Sequence, residues 1–378
     1  MPTNSPAITR LVSLAKSTLD AGATVLTEPE LYEVLTLAGL PVPAHVVLGD
    51  DASAWQRVPT GPVVLKVVSR DILHKSDVGG VRFLDAAQVT PALIASFLAE
   101  VAAKWAQVHG RTPHVGGALV MQRVSFDRAR PGAEVIAGLR ASRDLGFVGM
   151  VGLGGVKAEL FGARLPRRDS AALFSPSTPE AALRELKSTL VYRDLAGQLR
   201  GSTKVLDDAT WERLLGFLCD VARALPMVGE AGAPALEELE FNPLLVDDAG
   251  RLVPVDGLAR LTRAQAAAPR APVDKLRTFF EPKTVCVAGV SSKGVNMGRI
   301  ILRNLLRDGF SPGQLVVLKP GDDAIDGVRC VASPADLKER VDLAVLAVSA
   351  NAAPELMAGL VEGQKAEALI VIPGGMAE

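Results

Sequence analysis

From residue 284 the chain reads T-V-C-V-A-G-V, an almost unbroken apolar run, and continues through S-S-K-G-V-N-M-G into R-I-I-L-R-N-L-L-R-D-G, which has helical spacing. A strand that is apolar at successive positions is covered on both faces. The alternation then continues with a strand over 314–318, a helix near 335–340, the strand D-L-A-V-L-A-V, a helix over 354–361 and the strand A-L-I-V-I. Buried strands alternating with helices predict a parallel sheet with a nucleotide-type crevice at the carboxyl ends of its strands. Gly289, Gly294 and Gly298 follow the first strand, but not at the G-x-G-x-x-G spacing. Where a NAD site places an acid, at the end of the second strand, this chain has Lys319. A basic residue there favours a phosphorylated ribose, as in CoA or NADP.

The other demanding segment is 62–83, P-V-V-L-K-V-V-S-R-D-I-L-H-K-S-D-V-G-G-V-R-F. Side chains alternate along a strand, so Val63, Leu65 and Val67 share one face while Val64, Lys66 and Val68 share the other. Lys66 thus sits between valines on a face that reads as buried. A buried ammonium needs an anion, either a carboxylate or a phosphate. The competing reading is a lysine snorkelling from an edge strand. His74, Lys75, Ser76, Asp77, Gly79, Gly80 and Arg82 follow in a loop that offers backbone donors, cations and an imidazole, a set suited to phosphate.

A third cluster is predicted around A-L-E-E-L-E-F-N-P-L-L-V. Glu238, Glu240 and Asn242 share one face of this strand. A turn at D-D-A-G sends the chain back, in a register that sets Asp256 opposite Asn242. The oxygens of Glu240, Asn242 and Asp256 suit a hard cation such as Mg²⁺. A solvated acidic edge is the alternative.

The remaining sequence sets bounds. A length of 378 residues, 48% of them apolar, suffices for two or three domains with substantial cores. A net charge of −1 with no basic cluster argues against nucleic acid. Neither a signal-peptide core nor a membrane-length apolar run is present, so no membrane partner and a cytoplasmic location are expected. Cys219, Cys286 and Cys330 are scattered and read as free thiols. Helices are expected over 6–21, from a Thr27/Glu30 capping box to residue 37, over 91–108, and as two stretches between 180 and 225. Strands are expected over 45–48, 118–122 and 134–139. The Ala/Pro/Arg/Gln-rich segment 263–282 reads as a linker between an N-terminal domain, 1–262, and a C-terminal one, 283–378.

At these motifs the chain resembles the ADP-forming (NDP-forming) acyl-CoA synthetases, relatives of succinyl-CoA synthetase. The 62–83 segment, A-E-V-I-A-G, G-F-V-G-M-V-G-L-G-G-V-K-A-E-L and E-L-E-F-N-P-L-L-V resemble that family's ATP-grasp blocks. F-F-E-P-K-T-V-C-V-A-G-V-S and I-V-I-P-G-G-M-A-E resemble its CoA-binding domain. The fold class implied is α/β, an ATP-grasp domain plus a Rossmann-like parallel-sheet CoA-binding domain. By the resemblance Lys66, with Gly79, Gly80 and Arg82, binds ATP phosphates. The backbone around Met121 and Gln122, with Glu134 nearby, receives adenine. Glu240, Asn242 and Asp256 hold Mg²⁺, and His74 carries phosphate on a mobile loop. Gly289, Ser291, Gly294 and Gly298 face coenzyme A, and Lys319 meets its phosphates.

The implied reaction interconverts acyl-CoA, ADP and phosphate with free acid, CoA and ATP by way of acyl phosphate and phosphohistidine. Its small-molecule partners are therefore a nucleotide, CoA and a carboxylic acid. The family's further ligase domains are expected on a longer chain or a second subunit, because 283–378 reads as a shortened CoA domain. Two departures stand out. After Glu159 the family's acidic residue and longer stretch give way to L-F-G-A-R-L-P, and Leu318–Lys319 replaces an asparagine. The competing functions are an ATP- and CoA-sensing module without turnover, and a carboxylate ligase with an NADP-type domain.

Overall fold

The computed structural model describes residues 5–49, 51–142, 144–155, 167–266 and 273–374. They form two compact units, 1–267 and 268–378. The boundary falls within the expected linker, of which residues 267–272 lie outside the described residues, as do 160–166 of the departure after Glu159.

In the first unit, helix α1 (Pro6–Asp20) places Ile8, Leu11 and Leu14 in the core. Helix α2 (Glu28–Leu37) starts at the expected capping box, where the Thr27 N–H donates to Glu30 Oε2 at 2.7 Å. Such a cap contributes about 1 kcal/mol. A four-stranded antiparallel sheet has the order β2 (His45–Leu48), β5 (Gly117–Gln122), β3 (Pro62–Val68), β4 (Val81–Asp85). Its two faces separate as the alternation predicts. Val63, Leu65 and Val67 pack in a core with Phe97, Val101 and Trp105 of α3 (Pro91–His109), while Val64 joins the main core of the unit. Trp105 stacks on His109 at 4.0 Å, which gives that histidine a packing role.

The second sheet has the order β1 (Val25–Leu26), β12 (Gly257–Arg263), β10 (Pro234–Val246), β6 (Glu134–Ser142), β7 (Gly146–Leu153), β8 (Ala171–Phe174), with β11 (Leu252–Pro254) paired to β10. Leu244 pairs with Pro254 and Leu245 with Val253. The expected register holds, since the Asn242 N–H donates to the Asp256 carbonyl at 3.3 Å. Three helices, Pro179–Leu186, Leu190–Leu195 and Asp208–Ala224, stand where two stretches were expected. Thr189 explains the break: its side chain caps the middle helix by accepting from the Tyr192 N–H.

In the second unit β14 (Val285–Ala288), β15 (Leu315–Leu318), β18 (Val341–Leu346) and β19 (Ala366–Val371) are parallel neighbours in the order β15-β14-β18-β19. All four residues of β14 are fully buried, as a strand covered on both faces requires. The helices Met297–Arg307 and Ala353–Glu362 match expectation. The helix expected near 335–340 does not form beyond one 3₁₀ turn, Pro334–Asp336. A short hairpin, β16 (Ala324–Ile325) and β17 (Val328–Val331), escaped the sequence reading because its strands are too brief to show periodicity.

Asp326 sits at the tip of that hairpin. Arg299, at 2.6 and 3.1 Å, and Arg303, at 2.9 Å, hold its carboxyl far below the usual carboxylate range. A depressed folded value adds stability that is complete above the unfolded value of about 4 and is lost as pH falls through the folded one. Scanning calorimetry of Asp326→Asn against pH should therefore show a loss at neutral pH that vanishes in strong acid. An equal loss at every pH contradicts the assignment.

Candidate functional site

β3 is an interior strand, so Lys66 cannot snorkel from an edge. Its side chain is only 7% exposed, and its Nζ donates to Glu28 Oε1 at 2.8 Å and to the Val255 carbonyl. Asp256 Oδ1 lies 3.8 Å away. The anion that the sequence demanded is thus a carboxylate from the first turn of α2. Lys75 Nζ completes the cluster, 3.0 Å from Asp256 Oδ1 and 3.3 Å from Glu28 Oε2. Tyr32 donates to Glu28 Oε1 at 2.7 Å, one turn along α2.

Burial pushes the Glu28 carboxyl above its usual value against the pull of Lys66. Burial also works to raise Asp256, but Lys66 and Lys75 outweigh it and hold that group low. Two lysines face two carboxylates here, a balance that an incoming polyanion can compete for. Neither Glu28 nor Tyr32 was singled out in the sequence. The available signal was the capping box itself, which fixes Glu28 at the start of a helix whose first turn lies against the strand of Lys66.

Above Lys66 opens a cleft of about 610 Å³ lined by Val64, Val81, Phe83, Met121, Glu134 and Asp256 among others. Its apolar walls and few polar groups have the size and character of a nucleotide-sized pocket. Met121 contributes a side chain to the floor. The Gln122 N–H is taken by the Ala44 carbonyl at 2.7 Å and the Arg123 N–H by Pro62 at 2.9 Å, because β5 is paired on both sides. Further along, Arg123 and Val124 line the cleft.

Arg82 stands on the opposite face. Lys66 pairs with Val81 and Leu65 with Arg82, so alternation turns Arg82 toward α3, where it pairs with Glu100 at 2.6 Å and covers the Phe97 ring. This corrects its expected place among the phosphate ligands.

His74 is exposed, at the head of a 3₁₀ turn, Lys75–Val78, that ends on Gly79 in the left-handed region at φ 71°. A Cβ on Gly80 would lie 2.8 Å from the Lys75 carbonyl and from Val67, so the loop closes tightly on β3. Among the described residues the His74 imidazole has no hydrogen-bond partner. On either side of it, Leu73 and Lys75 line a small cavity with Glu28, Glu240, Asn242 and Asp256, while Ser76 lines the larger cleft. The structure therefore brings all three expected metal ligands to one cavity beside the histidine loop. Asn242 Nδ2 donates to Glu240 Oε1 at 3.3 Å. Two carboxylates and an amide are a hard-oxygen donor set that fits Mg²⁺. Among the described residues no three His, Cys, Asp or Glu side chains cluster as a metal site by themselves.

In the second unit the loop after β14 is tied by Asn296, a residue the sequence reading passed over. Its Oδ1 accepts from the N–H groups of Arg299 at 3.0 Å and Ser291 at 3.1 Å, and its Nδ2 donates to the Gly289 carbonyl at 2.7 Å. Gly289, at φ 83°, and Gly298 are sterically required: added Cβ atoms would meet the Ala347 carbonyl at 1.9 Å and the Gly289 carbonyl at 2.5 Å. Gly294 donates to Ser291 Oγ at 3.2 Å. The four expected residues thus gather where β14 meets a helix N-terminus, at the point where the sheet order reverses. Lys319 lies at the end of β15, 3.7 Å from Asp322.

A family signature described as an ATP-grasp domain matches residues 17–261, and one described as a CoA binding domain matches residues 283–378. The chain belongs to the ATP-grasp family. The two domains together are those of the ADP-forming acyl-CoA synthetase family. Over 83% of its length this ATP-grasp chain is 29% identical to an ADP-forming acetate–CoA ligase II of Archaeoglobus fulgidus, and it spans 41% of that relative. It is also 29% identical, over 58% of its length and 84% of the relative's, to the beta subunit of an ADP-forming acetate–CoA ligase I of Pyrococcus furiosus. A dinucleotide-forming acetyl-coenzyme A synthetase of Candidatus Korarchaeum cryptofilum, solved with coenzyme A and Ca-AMPCP, shares the fold. Its TM-score is 0.50 at 24% identity, covering 66% of this chain and 99% of that one. Among the described residues no helix is long and apolar enough to cross a membrane.

Proposed function

We propose that this chain is the nucleotide- and CoA-handling portion of an ADP-forming acyl-CoA synthetase. The reaction interconverts acyl-CoA, ADP and phosphate with free acid, CoA and ATP. One observation carries the reading: a nucleotide-sized cleft over the buried Lys66 adjoins the loop of an exposed His74, which has no hydrogen-bond partner among the described residues, and a hard-oxygen cluster. Adenine lies between the apolar walls, beside Met121, Arg123 and Val124, which line the cleft. The phosphates reach Lys66 and Lys75, displacing the carboxylates those lysines hold. Glu240, Asn242 and Asp256 would hold Mg²⁺, which would supply neutralisation of phosphate charge.

His74 attacks the terminal phosphorus, the bond to the bridging oxygen breaks, and ADP leaves with that electron pair. Acyl phosphate formation then requires ligase domains outside this chain, on a longer polypeptide or a second subunit. Coenzyme A takes the crevice at Gly289, Ser291, Gly294 and Gly298, with Lys319 toward its phosphates. The relatives' names cover acetate, 4-hydroxybutyrate and a feruloyl group, which supports a carboxylic acid as the acyl substrate, and a cytoplasmic location suits the substrates.

The first half-reaction needs only this chain. With Mg²⁺ present, it should exchange labelled ADP into ATP, and His74→Ala should reduce that exchange to background. No exchange in the native chain, or undiminished exchange in the variant, contradicts the reading.

A further inference from the structure

Between β5 and β6 runs the loop 123–133, which walls the cleft with Arg123, Val124, Phe126 and Arg128. Its inner backbone bonds are long, from the Arg130 N–H to the Asp127 carbonyl at 3.2 Å and from the Ala133 N–H to the Arg130 carbonyl at 3.4 Å. Bonds of that length hold a loop weakly. A stronger tie comes from Asp194, on the helix Leu190–Leu195, none of whose residues lines the cleft. Arg130 Nε donates to Asp194 Oδ2 at 3.0 Å, and its Nη2 donates to the Asp194 carbonyl at 2.7 Å and to the Thr203 carbonyl at 2.6 Å. The Gly132 N–H donates to the same Oδ2 at 3.2 Å. A Cβ on residue 132 would lie 2.9 Å from that oxygen, so glycine is what lets the loop seat this closely.

Arg130 and Asp194 are 14% and 8% exposed, so both charges are buried. Apolar replacements for such a pair are often as stable or more so, which makes stability a poor reason for keeping it. Geometry is a better one. The planar guanidinium reaches three acceptors at once and thereby fixes direction as well as distance. Two residues back, the Arg128 guanidinium lies over the Phe126 ring at 5.6 Å, and both residues belong to the cleft wall. At the phosphate end the anchors are different: Lys66 and Lys75 are held by Glu28, Val255 and Asp256, none of them in this loop.

We propose that Arg130 and Asp194 are positioning residues for the base of the bound nucleotide. Their pairing holds the 123–133 loop so that Phe126 and Arg128 wall the cleft, and it thereby sets affinity for the base while leaving the phosphate contacts alone. The proposal rests on the assignment of the cleft to a nucleotide. Neither Arg130 nor Asp194 lines the cleft, so both act through the loop. A loop freed from Asp194 samples other conformations, and binding then carries the entropy of ordering it.

Calorimetry on the full chain with Mg²⁺ compares ATP with tripolyphosphate, which has the phosphates without the base. The variant is Arg130→Met/Asp194→Asn, which neutralises both charges together and leaves an acceptor for the Gly132 N–H; urea unfolding verifies its fold. ATP affinity should fall by about tenfold or more, tripolyphosphate affinity should stay within about twofold, and amide hydrogen exchange across 123–133 should quicken. Arg130→Lys keeps the charge without the planar fork and should show the same split at about threefold, which carries the test should the double variant not fold. Unchanged ATP affinity, an equal loss for both ligands, or unaltered exchange in the loop overturns the proposal alone. A native chain that binds ATP no more tightly than tripolyphosphate refutes the placement of a base in the cleft, and the positioning role with it.

Discussion

Lys66→Met is expected to lower the stability of the N-terminal unit by about 3 kcal/mol and to abolish nucleotide binding. Adding Glu28→Gln should restore most of the stability and none of the binding. The first loss arises because the variant strands Glu28, whose side chain is 1% exposed, without its 2.8 Å partner. Breaking a buried pair from one side costs about 3–5 kcal/mol, and Lys75 at 3.3 Å keeps the cost near the lower end. Neutralising Glu28 removes the stranded charge, and Gln retains an acceptor for Tyr32. The second loss is different in kind, since no other cation enters the cleft from that face of β3. Urea unfolding and ATP calorimetry on the same three variants separate the effects. A double variant that binds ATP as the native chain does excludes Lys66 as a phosphate contact.

How much of this was legible in the sequence follows from which interactions are local. The alternation along 62–68 separated the face of Lys66 from that of Leu65, and the register of the 238–256 hairpin set Asp256 against Asn242. The continuous apolar run at 285–288 announced a strand covered on both sides. These readings depend on one strand or one turn, and they held.

The misses needed pairings between distant segments. Arg82 lies in the same loop-and-strand segment as His74, but its face is fixed by the pairing of Leu65 with Arg82 across β3 and β4. Glu28 was passed over, since the capping box fixes where a helix begins and not what that turn packs against. Asn296 reads as a simple helix cap, and only the fold brings the Gly289 carbonyl within 2.7 Å of its amide.

The second large effect concerns His74. It is exposed, has no hydrogen-bond partner among the described residues, and heads a loop whose next residue, Lys75, is anchored to Glu28 and Asp256. His74→Ala should leave the unfolding midpoint within error of the native value while removing the proposed phosphoryl acceptor entirely. Activity and stability therefore part company here, in contrast to Lys66.

The decisive measurement is the transfer of label from γ-radiolabelled ATP to the protein. The native chain should acquire phosphate that is labile in acid and stable in alkali, as a phosphorylated imidazole is. Neither His74→Ala nor the Lys66→Met/Glu28→Gln pair should acquire any. Label retained by His74→Ala, or label stable in acid, would contradict the account at its centre.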